Sequence, residues 1–213
     1  LSGTLTPNLG DYKIEAAEWD NILSTIPKGQ LRDYLTEVAG TGVRVAVKPQ
    51  YVDHIPKAFK GQVGELLSGV DERGALAEVA VDLGIDHLFE RELPKLSSGE
   101  LQRVAIAATL LKDADVYFFD EPSSYLDIFE RMRIVKILQK LAENHRVIVI
   151  EHDLAILDVL CDLVHIVYGT RAAFGIFTPP RATRTAINAY LAGFLKEENI
   201  RIRDKPISFL RGH

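Results

Sequence analysis

The chain has 213 residues and a formal net charge of −5 at pH 7, with 47% hydrophobic and 26% charged positions. This composition provides enough apolar material for one sizeable core and a smaller appended unit, and no apolar run approaches the roughly 18 residues of a transmembrane helix. The single cysteine, Cys161, excludes an internal disulfide and suits a reducing compartment. We therefore expect a cytoplasmic α/β protein without a membrane partner.

The first predicted element is a helix-turn-helix over residues 19–38. Apolar residues recur there at near-helical spacing and are interrupted at Pro27. Four of them are expected to anchor the two helices to each other: Trp19, Leu23, Leu31 and Leu35. Lys28 and Arg32 lie at or beside the turn, where they can reach a phosphate backbone. Alternatively, this region is an intramolecular brace.

Three short apolar strands are predicted downstream, and each has polar side chains after its last residue. Strand 43–47 precedes Gln50, strand 116–119 precedes Asp120 and Glu121, and strand 146–150 precedes His152. Residues 58–88 between the first two strands are predicted to be helical, with glycine interruptions. Ligands of open α/β sheets bind at the carboxyl ends of the strands, so these side chains are the candidate site.

The chemistry expected of these residues is that of phosphate and Mg²⁺. One carboxylate of the acidic pair can serve Mg²⁺, and the other can orient or deprotonate a water molecule that attacks a γ-phosphate. The Gln50 amide can reach the metal or the water, and the His152 imidazole can touch the γ-phosphate. An acidic pair after a strand can equally be a solvated turn.

A five-residue loop, Leu96, Ser97, Ser98, Gly99 and Glu100, precedes a predicted helix over residues 101–111. Ser97 and Glu100 have the spacing of a capping box. The free N–H groups and the positive dipole end of the helix also suit an anion such as the γ-phosphate. Both interpretations can hold together.

The rest of the chain is predicted to alternate between helices and strands. The expected order is helix 127–143, strand 146–150, helix 153–160, strand 163–168, a break at Pro179, helix 184–195 and strand 200–203. Residues 168–213 contain eight Lys or Arg against three Asp or Glu, a net charge of +5. Arg181 and Arg184 in this tail can meet phosphate on RNA or in a partner, although a solvated basic surface is equally consistent with the charge.

The order of glutamine, Leu-Ser-Ser-Gly-Glu, Asp-Glu, Ser-Ser-Tyr-Leu-Asp and histidine resembles the nucleotide-binding domain of the ATP-binding cassette superfamily. The resemblance implies a P-loop-type parallel sheet with a helical subdomain, and it implies ATP and Mg²⁺ as ligands. It makes Gln50 the Q-loop glutamine and a Mg²⁺ ligand, and residues 96–100 the signature loop. Asp120 becomes the Walker B aspartate and Mg²⁺ ligand, Glu121 the catalytic glutamate, Asp127 the D-loop aspartate and His152 the switch histidine.

One departure from the superfamily is visible in the signature loop. The usual signature is Leu-Ser-Gly-Gly-Gln, whereas this chain has Ser98 and Glu100 at the third and fifth places. A serine in place of glycine makes close backbone approach to a phosphate less easy.

Within the superfamily, Lys-Pro-Gln-Tyr-Val-Asp at 48–53 and Ile-Glu-His-Asp-Leu-Ala at 150–155 are similar to the E subfamily, the ribosome-recycling ATPases also called RNase L inhibitors. The resemblance implies a partial first cassette over 1–167, with a helix-loop-helix insertion at 19–38 and a helical subdomain at 51–112. It implies a hinge at 168–199 and the start of a second cassette at 200–213. The expected partners are that second cassette, the small ribosomal subunit with its rRNA, and a release or rescue factor. Iron–sulfur clusters are expected only in an amino-terminal domain outside these residues.

No Gly-x-x-x-x-Gly-Lys-[Ser/Thr] motif occurs in the sequence, and it contains no Gly-Lys dipeptide. We expect the chain to be a downstream piece of a longer protein, and to bind nucleotide poorly by itself. Two alternatives stay open at this point. A transporter cassette would share the motifs, and a non-enzymatic interaction module would have lost the P-loop.

Overall fold

The computed structural model describes residues 18–40, 42–170 and 174–207. The chain divides into two compact units between Ile150 and Glu151. The expected hinge at 168–199 lies within the second unit. No helix in the described ranges is both long enough and apolar enough to span a bilayer.

The first unit contains seven α-helices and a three-stranded sheet in its described part. The helices are α1 Trp19–Thr25, α2 Gln30–Gly40, α3 Ile55–Ala58, α4 Val63–Val70, α5 Leu76–Leu83, α6 Ser98–Leu110 and α7 Ile128–Ala142. The strands are β1 Val45–Lys48, β2 Val116–Asp120 and β3 Arg146–Ile150. All three strands predicted from the apolar runs are therefore present, and short 3₁₀ segments lie at Val52–His54, Asp86–Leu88 and Leu93–Lys95.

The sheet is parallel in the order β1-β2-β3, with Val45 opposite Val116 and Val116 opposite Arg146. Helix α6 packs against β1 and β2. On one face Tyr117 and Phe119 are fully buried. Parallel strands end at the same edge, so the residues that follow β1 and β2 are brought together there.

The opposite face of the sheet is only partly covered. Val47 alternates with buried positions, Ile148 and Ile150 alternate with half-buried ones, and the three are 54%, 37% and 42% exposed. Parallel sheets are ordinarily covered on both faces, since both faces carry apolar side chains.

Helices α1 and α2 form the predicted helix-turn-helix. Ile22 is fully buried, and Trp19 and Tyr34 pack against a cluster of Val38, Val43 and Val116 that joins the pair to the sheet. The expectation that Leu31 anchors the pair is wrong, because this side chain is 62% exposed. It shares a helix face with Tyr34 and Val38 but lies two turns before Val38, at the start of α2, where this face is left uncovered.

The second unit is built from short elements. They are helices α8 Leu154–Leu160 and α9 Thr183–Ala192, and strands β4 Leu163–Val164, β5 Val167–Thr170, β6 Phe174–Phe177, β7 Arg181–Ala182, β8 Phe194–Leu195 and β9 Ile200–Arg201. The strands pair antiparallel as β4 with β7, β5 with β6 and β8 with β9. Ile166, Ala186 and Leu195 form the core of this unit.

Three predicted elements of the second unit differ in extent by more than one residue. The strand expected over 163–168 is divided into β4 and β5, the strand expected over 200–203 ends at Arg201, and the helix expected over 184–195 ends at Ala192. Gly193 ends that helix because it adopts a left-handed conformation with φ of +73° and donates its N–H to the Ala189 carbonyl. A residue without Cβ reaches this conformation at little cost.

Candidate active site

The carboxyl edge of the sheet brings Gln50 and the acidic pair together. Asp120 is the last residue of β2 and Glu121 follows it, while Gln50 follows β1 by two residues. Gln50 Nε2 donates a hydrogen bond of 2.8 Å to Glu121 Oε1. Ser124 Oγ donates to the other carboxylate oxygen, Oε2, at 3.2 Å. Both oxygens of Glu121 are therefore oriented by neighbouring side chains.

The backbone of Glu121 has an uncommon conformation. Its φ is +48°, and a non-glycine residue in this region costs about 1–3 kcal/mol. Such a conformation persists only when its surroundings hold it. The Glu121 N–H continues the sheet by donating to the Ile150 carbonyl at 2.9 Å.

Two buried polar side chains hold the carbonyl group of Glu121. Gln102 Nε2 donates to this oxygen at 2.8 Å, and Lys48 Nζ donates to it at 3.3 Å. Lys48 Nζ also donates to the Asp120 carbonyl at 2.7 Å. Lys48 and Gln102 each have no exposed surface. Sequence reasoning missed both residues. Two features of the sequence could have indicated them: Lys48 ends an apolar strand, and Gln102 lies in a helical turn among apolar residues.

The donor set at this edge suits Mg²⁺. Asp120 is partly exposed and offers a carboxylate, and Gln50 uses its nitrogen for Glu121, so its amide oxygen is the atom that fits a cation. In the described ranges no three His, Cys, Asp or Glu side chains gather into a metal cluster. Mg²⁺ commonly uses one or two carboxylates and takes its other ligands from water and substrate phosphates, so these residues fit that cation.

The loop at 96–100 contains the capping box predicted from its spacing. Ser97 Oγ accepts from the Glu100 N–H at 3.3 Å, and Glu100 Oε2 accepts from the Ser97 N–H at 2.8 Å. Arg91, which sequence reasoning missed, donates to Glu100 Oε1 at 2.6 Å and to the Lys95 carbonyl at 2.7 Å. Burial alone would raise the pKa of Glu100, but the hydrogen bonds from Ser97 and the Arg91 charge outweigh it and lower that pKa below its ordinary value.

The start of α6 lies directly against the loop that follows β2. A Cβ atom on Gly99 would be 2.9 Å from the Tyr125 carbonyl oxygen, and Tyr125 itself has a φ of +65°. Two residues later, Asp127 caps α7 by accepting a hydrogen bond of 2.9 Å from the Glu130 N–H. The loop at 96–100 and the loop containing Asp127 are thus in contact.

His152 lies at the start of the second unit, where its side chain is exposed. Its N–H donates to Glu151 Oε1 at 3.3 Å, and the next residue, Asp153, caps α8 by accepting from the Ala155 and Ile156 N–H groups. Its expected contact with a γ-phosphate stays a prediction.

The four predicted RNA-contact residues differ in accessibility. Lys28 is exposed at the turn between α1 and α2, and Arg32 is half-buried with Nη1 3.5 Å from the Ile26 carbonyl. The Arg184 side chain is 88% exposed, 3.6 Å from Asp158.

Arg181 does not fit the expected contact with RNA. Its side chain is only 7% exposed and forms ion pairs with Glu198 and Glu197. The hydrogen bond that Arg181 donates to the Glu198 carboxylate raises the pKa of Arg181 above its ordinary value. The charge count of the tail did not reveal this pairing. We therefore no longer count Arg181 among the predicted RNA-contact residues.

Residues 1–124 match the family model described as ABC transporter. An uncharacterized ABC transporter ATP-binding protein of Methanocaldococcus jannaschii is 46% identical over 209 residues, which are 98% of this chain and 34% of that protein. The translation initiation factor RLI1 of Saccharomyces cerevisiae is 40% identical over 215 residues, which are 98% of this chain and 35% of that protein. The chain therefore spans about a third of the length of these curated relatives.

Two solved structures have a fold similar to that of this chain. The structure described as a model of ribosome-bound archaeal Pelota and ABCE1 aligns with a TM-score of 0.89 and 48% identity, over 98% of this chain and 35% of that one. The structure described as the complex of archaeal ribosomal stalk protein aP1 and archaeal ribosome recycling factor aABCE1 aligns with a TM-score of 0.87 and 45% identity, over 100% of this chain and 41% of that one.

Proposed function

The chain belongs to the ATP-binding cassette family, and from this premise we propose that it forms part of a twin-cassette ATPase that uses ATP to split and recycle ribosomes. The observation that carries the catalytic part of this proposal is the hydrogen bond of 2.8 Å between Gln50 and Glu121 at the carboxyl edge of the sheet. It joins two residues that are 71 positions apart in the chain. A solvated acidic turn would not need such a partner.

In the proposed mechanism Glu121 is the general base. One of its carboxylate oxygens is oriented by Gln50 and the other by Ser124, and a carboxylate retains lone pairs with which to accept a proton from water. Asp120 and the Gln50 amide oxygen would hold Mg²⁺, which when bound neutralises phosphate charge. The N–H groups at the start of α6, in the signature loop 96–100, would bind nucleotide phosphate, as would the His152 imidazole, and Asp127 would belong to the same nucleotide site as its D-loop aspartate.

The complete nucleotide site requires more than these residues. We propose that the phosphate-cradling motif lies in another part of the protein, and that a second cassette of the same protein faces this one. The exposed apolar face of the sheet at Val47, Ile148 and Ile150 supports the first point, because a parallel sheet needs a cover on that face. Any iron–sulfur clusters would also belong to another domain.

The ribosomal part of the proposal is supported by the named relatives. One is named a translation initiation factor, and solved structures with 48% and 45% identity are described as ribosome-bound ABCE1 and as a ribosome recycling factor. On this chain Lys28 and Arg184 are exposed cations that can meet rRNA of the small subunit, and Arg32 lies beside Lys28. A release or rescue factor on the ribosome and a cytoplasmic location belong to the same proposal.

The experiment that tests the catalytic proposal replaces Glu121 in the complete protein. We expect Glu121→Gln to retain ATP binding and to slow hydrolysis at this site by ~10²-fold or more, the scale of a general-base contribution. Single-turnover measurements are needed, because two sites of one protein can differ in rate. Asp120→Asn is expected to weaken Mg²⁺-dependent binding instead.

A matched control is Glu78→Gln, which changes an exposed carboxylate that pairs with Lys140 on the helical surface. It should leave hydrolysis unchanged. An undiminished single-turnover rate at this site in Glu121→Gln would count against the assignment of Glu121 as the base.

A further inference from the structure

We propose that Lys48 and Gln102 are positioning residues, which fix the backbone of Glu121 so that its carboxylate points to the site of reaction. This inference rests on the proposed function, in which Glu121 is the general base. The two residues come from different elements, the end of β1 and the second turn of α6. They converge on one acceptor, the carbonyl oxygen of Glu121.

The burial of both side chains explains why they bind backbone carbonyls of the protein. An ammonium or an amide with no exposed surface must find polar partners, since desolvation without a hydrogen bond is costly. Lys48 directs its ammonium group to the carbonyls of Asp120 and Glu121. The Gln102 amide oxygen has no hydrogen-bond partner in the part of the chain that the structure describes, so the contact of its nitrogen with Glu121 accounts for the orientation of the amide.

The contact bears directly on the direction of the Glu121 carboxylate. Glu121 has a φ of +48°, and its carbonyl lies in the peptide plane that links it to Pro122. Holding that oxygen fixes this plane, and the Glu121 N–H, which donates to the Ile150 carbonyl at 2.9 Å, fixes the preceding one. With both planes held, the direction of the Cα–Cβ bond is set. Without the two donors, we expect the residue to relax toward a common negative φ, which would move the carboxylate away from Gln50 and Ser124. Misplacement of a reacting group by about 1 Å can cost ~10²-fold in rate.

A purely structural role is the competing explanation. The same hydrogen bonds tie β1 and α6 to the end of β2, and their loss would lower stability whether or not Glu121 is oriented. The two explanations differ in one respect. Positioning residues act through the Glu121 carboxylate, so their effect on the rate must disappear once that carboxylate has been removed.

The test is a double-mutant cycle of Gln102→Met and Glu121→Gln in the complete protein, followed by single-turnover hydrolysis. Methionine keeps the length of the side chain and removes the donor. We expect Gln102→Met to lower the rate at this site by ~10- to 100-fold with a nearly unchanged KM for ATP. In the Glu121→Gln background it should cause no further loss.

The matched control is Thr109→Val on the same helix. Thr109 is also buried and polar, but its hydroxyl donates to the Ala105 carbonyl of its own helix at 2.9 Å. This variant should leave the hydrolysis rate unchanged. If Gln102→Met prevents folding, as judged by thermal unfolding, the same cycle is carried out with Lys48→Met.

The outcomes separate the two proposals. An equal loss of rate from Gln102→Met in both backgrounds, or no loss in either, would overturn the positioning role while leaving Glu121 as the base. If Glu121→Gln alone does not slow hydrolysis, the proposed function of Glu121 fails first, and the positioning role fails with it.

Discussion

Gly99 and Tyr125 approach each other so closely that no side chain fits between them. A Cβ atom on Gly99 would lie 2.9 Å from the Tyr125 carbonyl oxygen, and real Cβ atoms essentially never come that close to another heavy atom. The obstacle is backbone, so it cannot rotate away as the end of a flexible side chain would. The contact fixes α6 against the loop that follows β2.

Gly99→Ala is therefore expected to destabilise the chain, although alanine is ordinarily the better helix former. Forcing the Tyr125 loop to shift should lower the free energy of unfolding by about 1–3 kcal/mol, the usual cost of overpacking. Urea unfolding of the unchanged chain and of Gly99→Ala measures this difference in the free energy of unfolding. Gly69→Ala in α4 is the control, since nothing lies within 4 Å of its Cβ position, and there we expect a gain of about 0.5–1 kcal/mol. Equal effects at both positions would contradict the close approach.

The Glu100 carboxylate predicts a pH dependence of stability. Its pKa is lowered in the folded chain, so its contribution is fully present above the unfolded pKa of about 4.3 and is lost as the pH falls through the lower, folded pKa. Glu100→Gln lacks this titration. We expect the difference in unfolding free energy between the two proteins to be constant above about pH 5 and to shrink below about pH 4. If the unfolding free energies of the two proteins differ by the same amount down to pH 3, the Arg91 and Ser97 contacts do not stabilise the charged form of Glu100.

Much of the candidate site at the carboxyl edge of the sheet could be predicted from the sequence, because it depends on local patterns. The apolar strands, the acidic pair at the end of β2 and the Ser97–Glu100 capping box each follow from residues within a few positions of one another. The capping box is present with both of its hydrogen bonds. The order of the parallel strands then brings Gln50 to Glu121.

The partners that sequence reasoning missed are distant in the chain or lie across irregular loops. Lys48 reaches the Glu121 carbonyl over 73 positions, and Arg91 reaches Glu100 across a loop with no regular period. Leu31 was misplaced because helical spacing shows which residues share a face but not whether a neighbour covers that face. Arg181 was misjudged because a charge count does not show which cations are paired.

Removal of the charge should lower stability at Arg181 but not at Arg184. The Arg181 side chain is 7% exposed and pairs with the largely buried Glu198, so Arg181→Met leaves a buried carboxylate without its cation. Breaking a buried pair in this way costs about 3 kcal/mol. The Arg184 side chain is 88% exposed, and Arg184→Met should leave stability nearly unchanged. Thermal unfolding of both variants checks this, and a lower melting temperature for Arg184→Met alone would reverse the assignment.

The chain by itself is expected to bind MgATP weakly. Its sequence contains no Gly-x-x-x-x-Gly-Lys-[Ser/Thr] motif, whose backbone N–H groups and lysine supply much of the contact with the phosphates. Calorimetric titration of the 213-residue chain with MgATP should therefore give no saturation in the micromolar range. Micromolar affinity would mean that the residues at the sheet edge and the start of α6 suffice for binding.

The last prediction concerns the turn between α1 and α2. Lys28 is exposed there, and Arg32 lies in the first turn of α2, while buried Ile22 and the cluster around Val38 hold the helix pair to the sheet. The two basic side chains take no part in these apolar contacts, although replacing Arg32 also removes its 3.5 Å contact with the Ile26 carbonyl. Each cation that meets a phosphate makes the logarithm of affinity fall by roughly 0.7–0.9 per log unit of salt, because counterions are released.

We expect replacement of Lys28 and Arg32 by Glu in the complete protein to weaken binding to small ribosomal subunits. It should also reduce the salt slope, by roughly 1.4–1.8 for two lost contacts. Folding and basal ATP hydrolysis should be unchanged, since neither residue lies at the sheet edge. Co-sedimentation across a salt series measures both quantities. The control is Lys57→Glu, which changes an exposed lysine on α3 that pairs with Asp53. If the double variant binds small subunits with unaltered affinity and salt slope, the helix pair is an intramolecular brace. The ribosomal contact would then lie at Arg184 or on other surfaces.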